Sequence, residues 1–189
     1  CPYYNRPDQA GLEAHFRAIA DAVALPIVLY NVPGRTVSDL QPDTVIRLGK
    51  HPNIVGIKDA TGDLARVSLH AAGLKGEQFV QICGEDPVTL GYRAMGGTGC
   101  ISVTSNVAPA DMAKMHKAMD ESDLATAREI EVRLIALHKA LFCSPSPGPA
   151  KYALSRLGLC GDELRLPLVA PDEASRRRID AAMEIAGLI

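Results

Sequence analysis

The chain has 189 residues, 47% of them hydrophobic, enough apolar mass to bury the core of one domain or slightly more. Its formal net charge is only -2, with acidic and basic residues interspersed, so a nucleic-acid face and a polybasic membrane patch are not expected; small molecules and further copies of the chain are the expected partners. No apolar run reaches the roughly 18 residues that span a bilayer, and no signal-peptide pattern opens the chain, which points to a cytoplasmic protein. Five dispersed cysteines (Cys1, Cys83, Cys100, Cys143, Cys160) include no C-x-x-C pair; this disfavours a disulfide framework or a zinc site, and all five read as small buried hydrophobes.

In chain order, short runs rich in β-branched residues alternate with amphipathic stretches, the pattern of a parallel sheet covered by helices. Residues 11–23 carry apolar positions at helical spacing, and 26–32 (PIVLYNV) read as a buried strand. Pro42 opens a helix over 42–48, where a proline costs little, and 54–58 form the next strand. A helix over 63–72, a strand over 79–83, a short helix over 87–95 and a strand over 99–104 (GCISVT) complete four alternating units. Residues 109–142 read as continuously helical, Ser144–Pro149 as a proline-rich break, 150–158 as a helix, and the stretch after Pro171 as a last helix with Asp172 and Glu173 in its first turn.

Neither G-x-G-x-x-G nor a P-loop opens any of these helices, so a nucleotide-binding doubly wound sheet is disfavoured against a (β/α)8 barrel. A barrel needs eight units and roughly 250 residues. Four units therefore predict a partial TIM barrel: its second half over residues 1–108, then a last barrel helix and a helical appendage over 109–189. The opening Cys-Pro-Tyr-Tyr, without an initiator Met or leader, is likewise expected of a piece of a longer protein.

Lys58 closes the strand Ile54-Val-Gly-Ile-Lys58, on the face it shares with Gly56. A lysine on a buried strand is unusual, and burial disfavours a charged amine; a neutral one can attack a carbonyl and form an imine. The plainer alternative is a strand-end lysine reaching solvent. Tyr30 holds the matching place one strand earlier, followed by Asn-Val-Pro-Gly-Arg35-Thr36, and strand ends and the loops after them supply the chemistry of parallel barrels. The phenol can shuttle protons and Arg35 can receive a carboxylate, although singly Tyr30 also reads as a core residue and Arg35 as a surface one. Glu85 and Asp86 are adjacent and make a poor acid/base couple; the five histidines lack metal-ligand spacing, and no G-x-S-x-G elbow is present.

Tyr30-Asn-Val-Pro-Gly-Arg-Thr36, Gly56-Ile-Lys-Asp-Ala-Thr-Gly62, Gly84-Glu-Asp86 and Ile101-Ser-Val-Thr-Ser-Asn106 together resemble the dihydrodipicolinate synthase family in order and spacing, over essentially the whole chain. The resemblance implies a class I aldolase-type lyase that condenses pyruvate with aspartate 4-semialdehyde through a lysine Schiff base to give 4-hydroxy-tetrahydrodipicolinate, towards diaminopimelate and lysine. It further implies no metal or other cofactor, and a homodimer or homotetramer. In these terms Lys58 is the Schiff-base lysine, Tyr30 the proton donor and acceptor, and Tyr4 a tyrosine completing the relay across a dimer interface. Arg35 takes the semialdehyde carboxylate, Ile101 offers backbone to pyruvate, Gly84 lines the substrate site, and Tyr3 is a remnant of a lysine-feedback site. Sister aldolases such as N-acetylneuraminate lyase and ketodeoxygluconate-type aldolases resemble the chain less well. Two departures stand out: the family's Gly-Thr-Thr-Gly-Glu segment, which holds the pyruvate carboxylate, is missing, and Cys1 stands where many members have Thr. The rival expectation is a catalytically silent fragment or interaction partner.

Overall fold

Runs with β-branched residues, too short for helices, give β1 (Ile27–Asn31), β2 (Ile54–Asp59) and β3 (Val80–Cys83), and a two-residue β4 (Gly99–Cys100) pairs with β3; all are parallel and ordered β1-β2-β3-β4. The computed structural model describes residues 1–189 and divides into two units, Cys1–Ile101 and Ser102–Ile189.

In the first unit, α1 (Gln9–Ala22) starts two residues before the apolar periodicity because the Asp8 carboxylate accepts from the Gly11 N–H at 2.8 Å and caps the helix. After β1 comes a one-turn helix α2 (Pro33–Thr36) that periodicity did not reveal, then α3 (Pro42–Leu48), opened by Pro42 as expected. Helix α4 (Ala65–Gly73) follows β2, and after β3 a 3-10 turn (Asp86–Val88) leads into α5 (Thr89–Ala94) where one helix was expected. Alternation along the strands separates two faces. Leu29, Ile57 and Cys83 on one face are fully buried, and Leu29 and Ile57 pack with Leu12, Phe16, Val45 and Leu48 of α1 and α3. Each such side chain contributes about 1.5–3 kcal/mol when removed from water. On the other face Val28, Tyr30, Val80 and, beyond β4, Ile101 are 40–50% exposed. This is the inner surface of a barrel arc, with β1 and β4 as open edges.

Several expectations need correction. The fourth strand was expected over 99–104 but ends at Cys100, with Ile101 N–H adding one further bond to the Cys83 carbonyl. Beyond it the Ser102 hydroxyl accepts from Ser105 N–H and the Ser105 hydroxyl donates to the Ser102 carbonyl, local bonds that compete with a ladder and lead into a 3-10 turn at Thr104–Asn106. The cysteines are not uniformly buried: all five are free thiols, Cys83 alone is buried and Cys160 is exposed. Lys58 is half-buried in a strand that is otherwise largely buried, which is nearer the solvent-reaching strand-end lysine offered as the plainer alternative than a lysine sealed inside the sheet.

The second unit is helical: α6 (Pro109–Asp120), α7 (Leu124–Ala140), α8 (Gly148–Arg156) and α9 (Glu173–Ala186). The continuous helix expected over 109–142 is broken between α6 and α7. Ser122 adopts a left-handed φ of 61° and the Asp123 carboxylate caps α7 by accepting from Thr126 N–H at 3.1 Å. Ser122 and Asp123 are short polar residues between two apolar repeats, a break that periodicity alone passes over. Asp172 caps α9 through Ser175 N–H at 2.8 Å, and no helix is long and apolar enough to cross a membrane.

Candidate active site

Strand register places Tyr30 of β1 directly opposite Lys58 of β2, which is in turn opposite Ile82 of β3. The Lys58 Nζ lies 4.1 Å from the centroid of the Tyr30 ring, so the two side chains meet on the open face of the arc. Both strands continue the hydrogen-bond ladder past their ends: Ala60 N–H donates to the Asn31 carbonyl at 2.9 Å and Gly84 N–H to the Asp59 carbonyl at 2.8 Å. Gly84 thereby passes close behind the lysine. A Cβ there would lie 2.8 Å from Ala60 Cβ and 3.1 Å from Lys58 Cε, so the glycine leaves the space the lysine occupies.

Arg35 sits exposed on α2, whose C-cap Val37 has a left-handed φ of 58° and donates its N–H to the Pro33 carbonyl at 2.9 Å. A β-branched residue in that region is strained, and such strain persists only where the surroundings fix the backbone. Tyr3, Tyr4, Arg6, Arg35, Thr36 and Val37 line one shallow concavity, which includes neither Tyr30 nor Lys58. Tyr4 is 90% exposed within the chain. The structure thus brings Tyr30, Lys58 and Gly84 together, groups Tyr3 and Tyr4 with Arg35, and leaves Ile101 at the end of the arc on the same open face.

Two features escaped the sequence reading. Glu85, set aside there, is half-buried after β3; burial and the neighbouring Asp86 push its carboxyl above the usual range, while Lys58 and Arg35 act to lower it, so its charge is felt where those two cations stand. On the covered side of the sheet, Arg66 is buried in an ion pair with Asp59, the residue after Lys58, its Nε 2.9 Å from Asp59 Oδ2. The Asp-x-Thr turn, in which Asp59 Oδ1 accepts from Thr61 N–H at 2.8 Å and from its hydroxyl at 2.6 Å, was the one local sign of it in the sequence.

A lysine and a tyrosine stand side by side at the ends of adjacent parallel strands, where (β/α) barrels carry their chemistry. The Dihydrodipicolinate synthetase family model matches residues 1–186, and the chain belongs to that family. Similar proteins include the 4-hydroxy-tetrahydrodipicolinate synthases of Hyphomonas neptunium, 68% identical over 188 residues (99% of this chain, 64% of the relative), and Phenylobacterium zucineum, 56% identical (100% and 64%). Among solved structures, the Acinetobacter baumannii dihydrodipicolinate synthase complexed with pyruvate superposes with a TM-score of 0.94 at 43% identity, over 100% of this chain and 64% of that one. The Cyanidioschyzon merolae enzyme with lysine bound gives 0.94 at 38% identity, with the same coverage. The chain spans about 64% of the length of the curated relatives it matches, and its four β/α units form a partial (β/α)8 barrel.

Proposed function

We propose that this chain carries the imine-forming site of a 4-hydroxy-tetrahydrodipicolinate synthase, a lyase joining pyruvate to aspartate 4-semialdehyde. The observation that carries the reading is the apposition of Lys58 and Tyr30 at paired strand ends, in a chain 68% identical to a protein of that name. The Lys58 amine attacks the pyruvate carbonyl; the carbinolamine loses water to give an imine, and loss of a methyl proton turns the imine into an enamine. Tyr30 passes protons to and from the carbinolamine. The enamine carbon then attacks the aldehyde, whose distant carboxylate is held by the Arg35 guanidinium. Gly84 keeps the lysine's swing open, and Ile101 offers backbone to pyruvate. Tyr4 acts in a relay supplied by a second copy of the chain, which fits its 90% exposure in one copy.

A second reading is favoured by the uncovered inner face: the 189-residue chain alone is silent, because Val28, Val80 and Ile101 lack facing partners and nothing orients the pyruvate carboxylate. The test is the condensation assay on the chain alone and on the chain lengthened by four further β/α units. Turnover appearing only in the lengthened form supports both statements. Comparable turnover from both contradicts the second, and none from either contradicts the first.

A further inference from the structure

We propose that Arg66 is the positioning residue of this site, a clamp behind the sheet that holds the ends of β1 and β2 and the loop bearing Arg35 in one arrangement. The inference rests on the synthase reading above. Arg66, the second residue of α4, is 5% exposed, and its guanidinium reaches three acceptors. Nε donates to Asp59 Oδ2 at 2.9 Å, Nη1 faces Asp39 Oδ1 at 3.5 Å, and Nη2 donates to the Leu40 carbonyl. Asp39 Oδ1 also accepts from Asn31 Nδ2 at 2.8 Å, and Asn31 Oδ1 accepts from Leu40 N–H at 3.0 Å.

The placement of these partners gives the network its role. Asn31 directly follows Tyr30 and Asp59 directly follows Lys58, so each catalytic side chain is one residue from a clamped one on the opposite face. Residues 31–40 form a loop whose two ends are tied together by Asn31, Asp39 and Leu40, and that loop carries Arg35 and the strained Val37. A planar guanidinium can serve three acceptors in fixed directions, which an ammonium cannot. The clamp therefore has two separable arms, one through Asp59 to Lys58 and one through Asp39 and Leu40 to Arg35.

The arms make the proposal testable, in the protein lengthened by four further β/α units, with Arg66→Gln, Arg66→Lys and Asp39→Ala, and with Arg47→Gln at an exposed ion pair as control. Asp39 shares no bond with Asp59, so its replacement leaves the Arg66–Asp59 pair of the first arm in place. In Asp39→Ala, amides of 35–40 exchange roughly tenfold faster and the KM for the aldehyde rises roughly fivefold or more, while pyruvate-and-borohydride labelling of Lys58 stays within about twofold. In Arg66→Gln labelling also falls, roughly tenfold, and Arg66→Lys restores only part of it. If Arg66→Gln fails to fold, Asp39→Ala decides alone. Unchanged exchange and KM in Asp39→Ala, or full recovery in Arg66→Lys, overturn the proposal. If the wild type takes no label at Lys58, the synthase reading fails, and the exchange rates of 35–40 and 59–61 still decide whether Arg66 clamps both arms.

Discussion

Gly84→Ala is the substitution whose outcome follows most directly from the local geometry. The added Cβ would stand 2.8 Å from Ala60 Cβ and 3.1 Å from both the Asp59 carbonyl oxygen and Lys58 Cε, against an ordinary carbon–carbon contact of about 3.5–4.0 Å. Ala60 Cβ and the Asp59 oxygen belong to the backbone framework and cannot rotate away, so the strain falls on the β2–β3 ladder and on the lysine. Overpacking of this kind costs about 1–3 kcal/mol. A displacement of Lys58 by a few tenths of an ångström to about 1 Å slows imine formation by about tenfold to a hundredfold. Gly99, one strand away and aligned with Ile82, is the matched control, because a Cβ there meets nothing within 4 Å; Gly99→Ala should stay within about 0.5 kcal/mol. The assay is the urea midpoint of both variants together with their rate of pyruvate-and-borohydride labelling. Equal midpoints and equal labelling in the two alanine variants would refute the reasoning.

In the protein lengthened by four further β/α units, Arg35→Ala should lower kcat/KM for the aldehyde by about tenfold to a hundredfold, the value of about 1.5–3 kcal/mol for a charge-assisted contact, while leaving pyruvate labelling of Lys58 intact; a parallel loss of labelling makes Arg35 structural. His70 supplies a pH dependence. Burial holds its imidazole below the ordinary range, partly opposed by its contact with Gln81 at 3.1 Å, so the folded state favours the neutral ring. Its contribution is therefore complete above the unfolded pKa near 6.5 and is lost as pH falls below it towards the depressed folded value. The denaturation midpoint should fall between pH 7.5 and pH 5, and His70→Gln should flatten part of that fall; identical pH slopes in the two proteins contradict the assignment.

What the sequence made legible was what neighbours along the chain decide. The first three strands follow from β-branched runs, and the helix opened by Pro42 from a proline at its first-turn position. β4 is shorter than expected because Ser102 and Ser105 bond to one another, and the α6–α7 break lies at Ser122–Asp123, where a cap outweighs a favourable apolar repeat. Lys58 and Tyr30 were found as strand-end residues, and the register then places them opposite each other. The Arg66 network was beyond reach because its bonds join residues 7 and 26 positions apart, with no periodicity to announce them. The half-exposure of Lys58 depends on which face of the sheet is covered, a property of the arc rather than of the strand.

The central claim is that Lys58 is the nucleophile, and trapping tests it most directly. The protein, lengthened by the four further β/α units, is incubated with pyruvate and borohydride, digested, and mapped by mass spectrometry, alongside Lys58→Ala and a sample without pyruvate. Reduction turns an imine into a stable secondary amine, so the label should sit on the peptide containing Gly56-Ile-Lys58-Asp59, require pyruvate, and vanish in Lys58→Ala. Label on another lysine, or label that survives Lys58→Ala, would contradict the account.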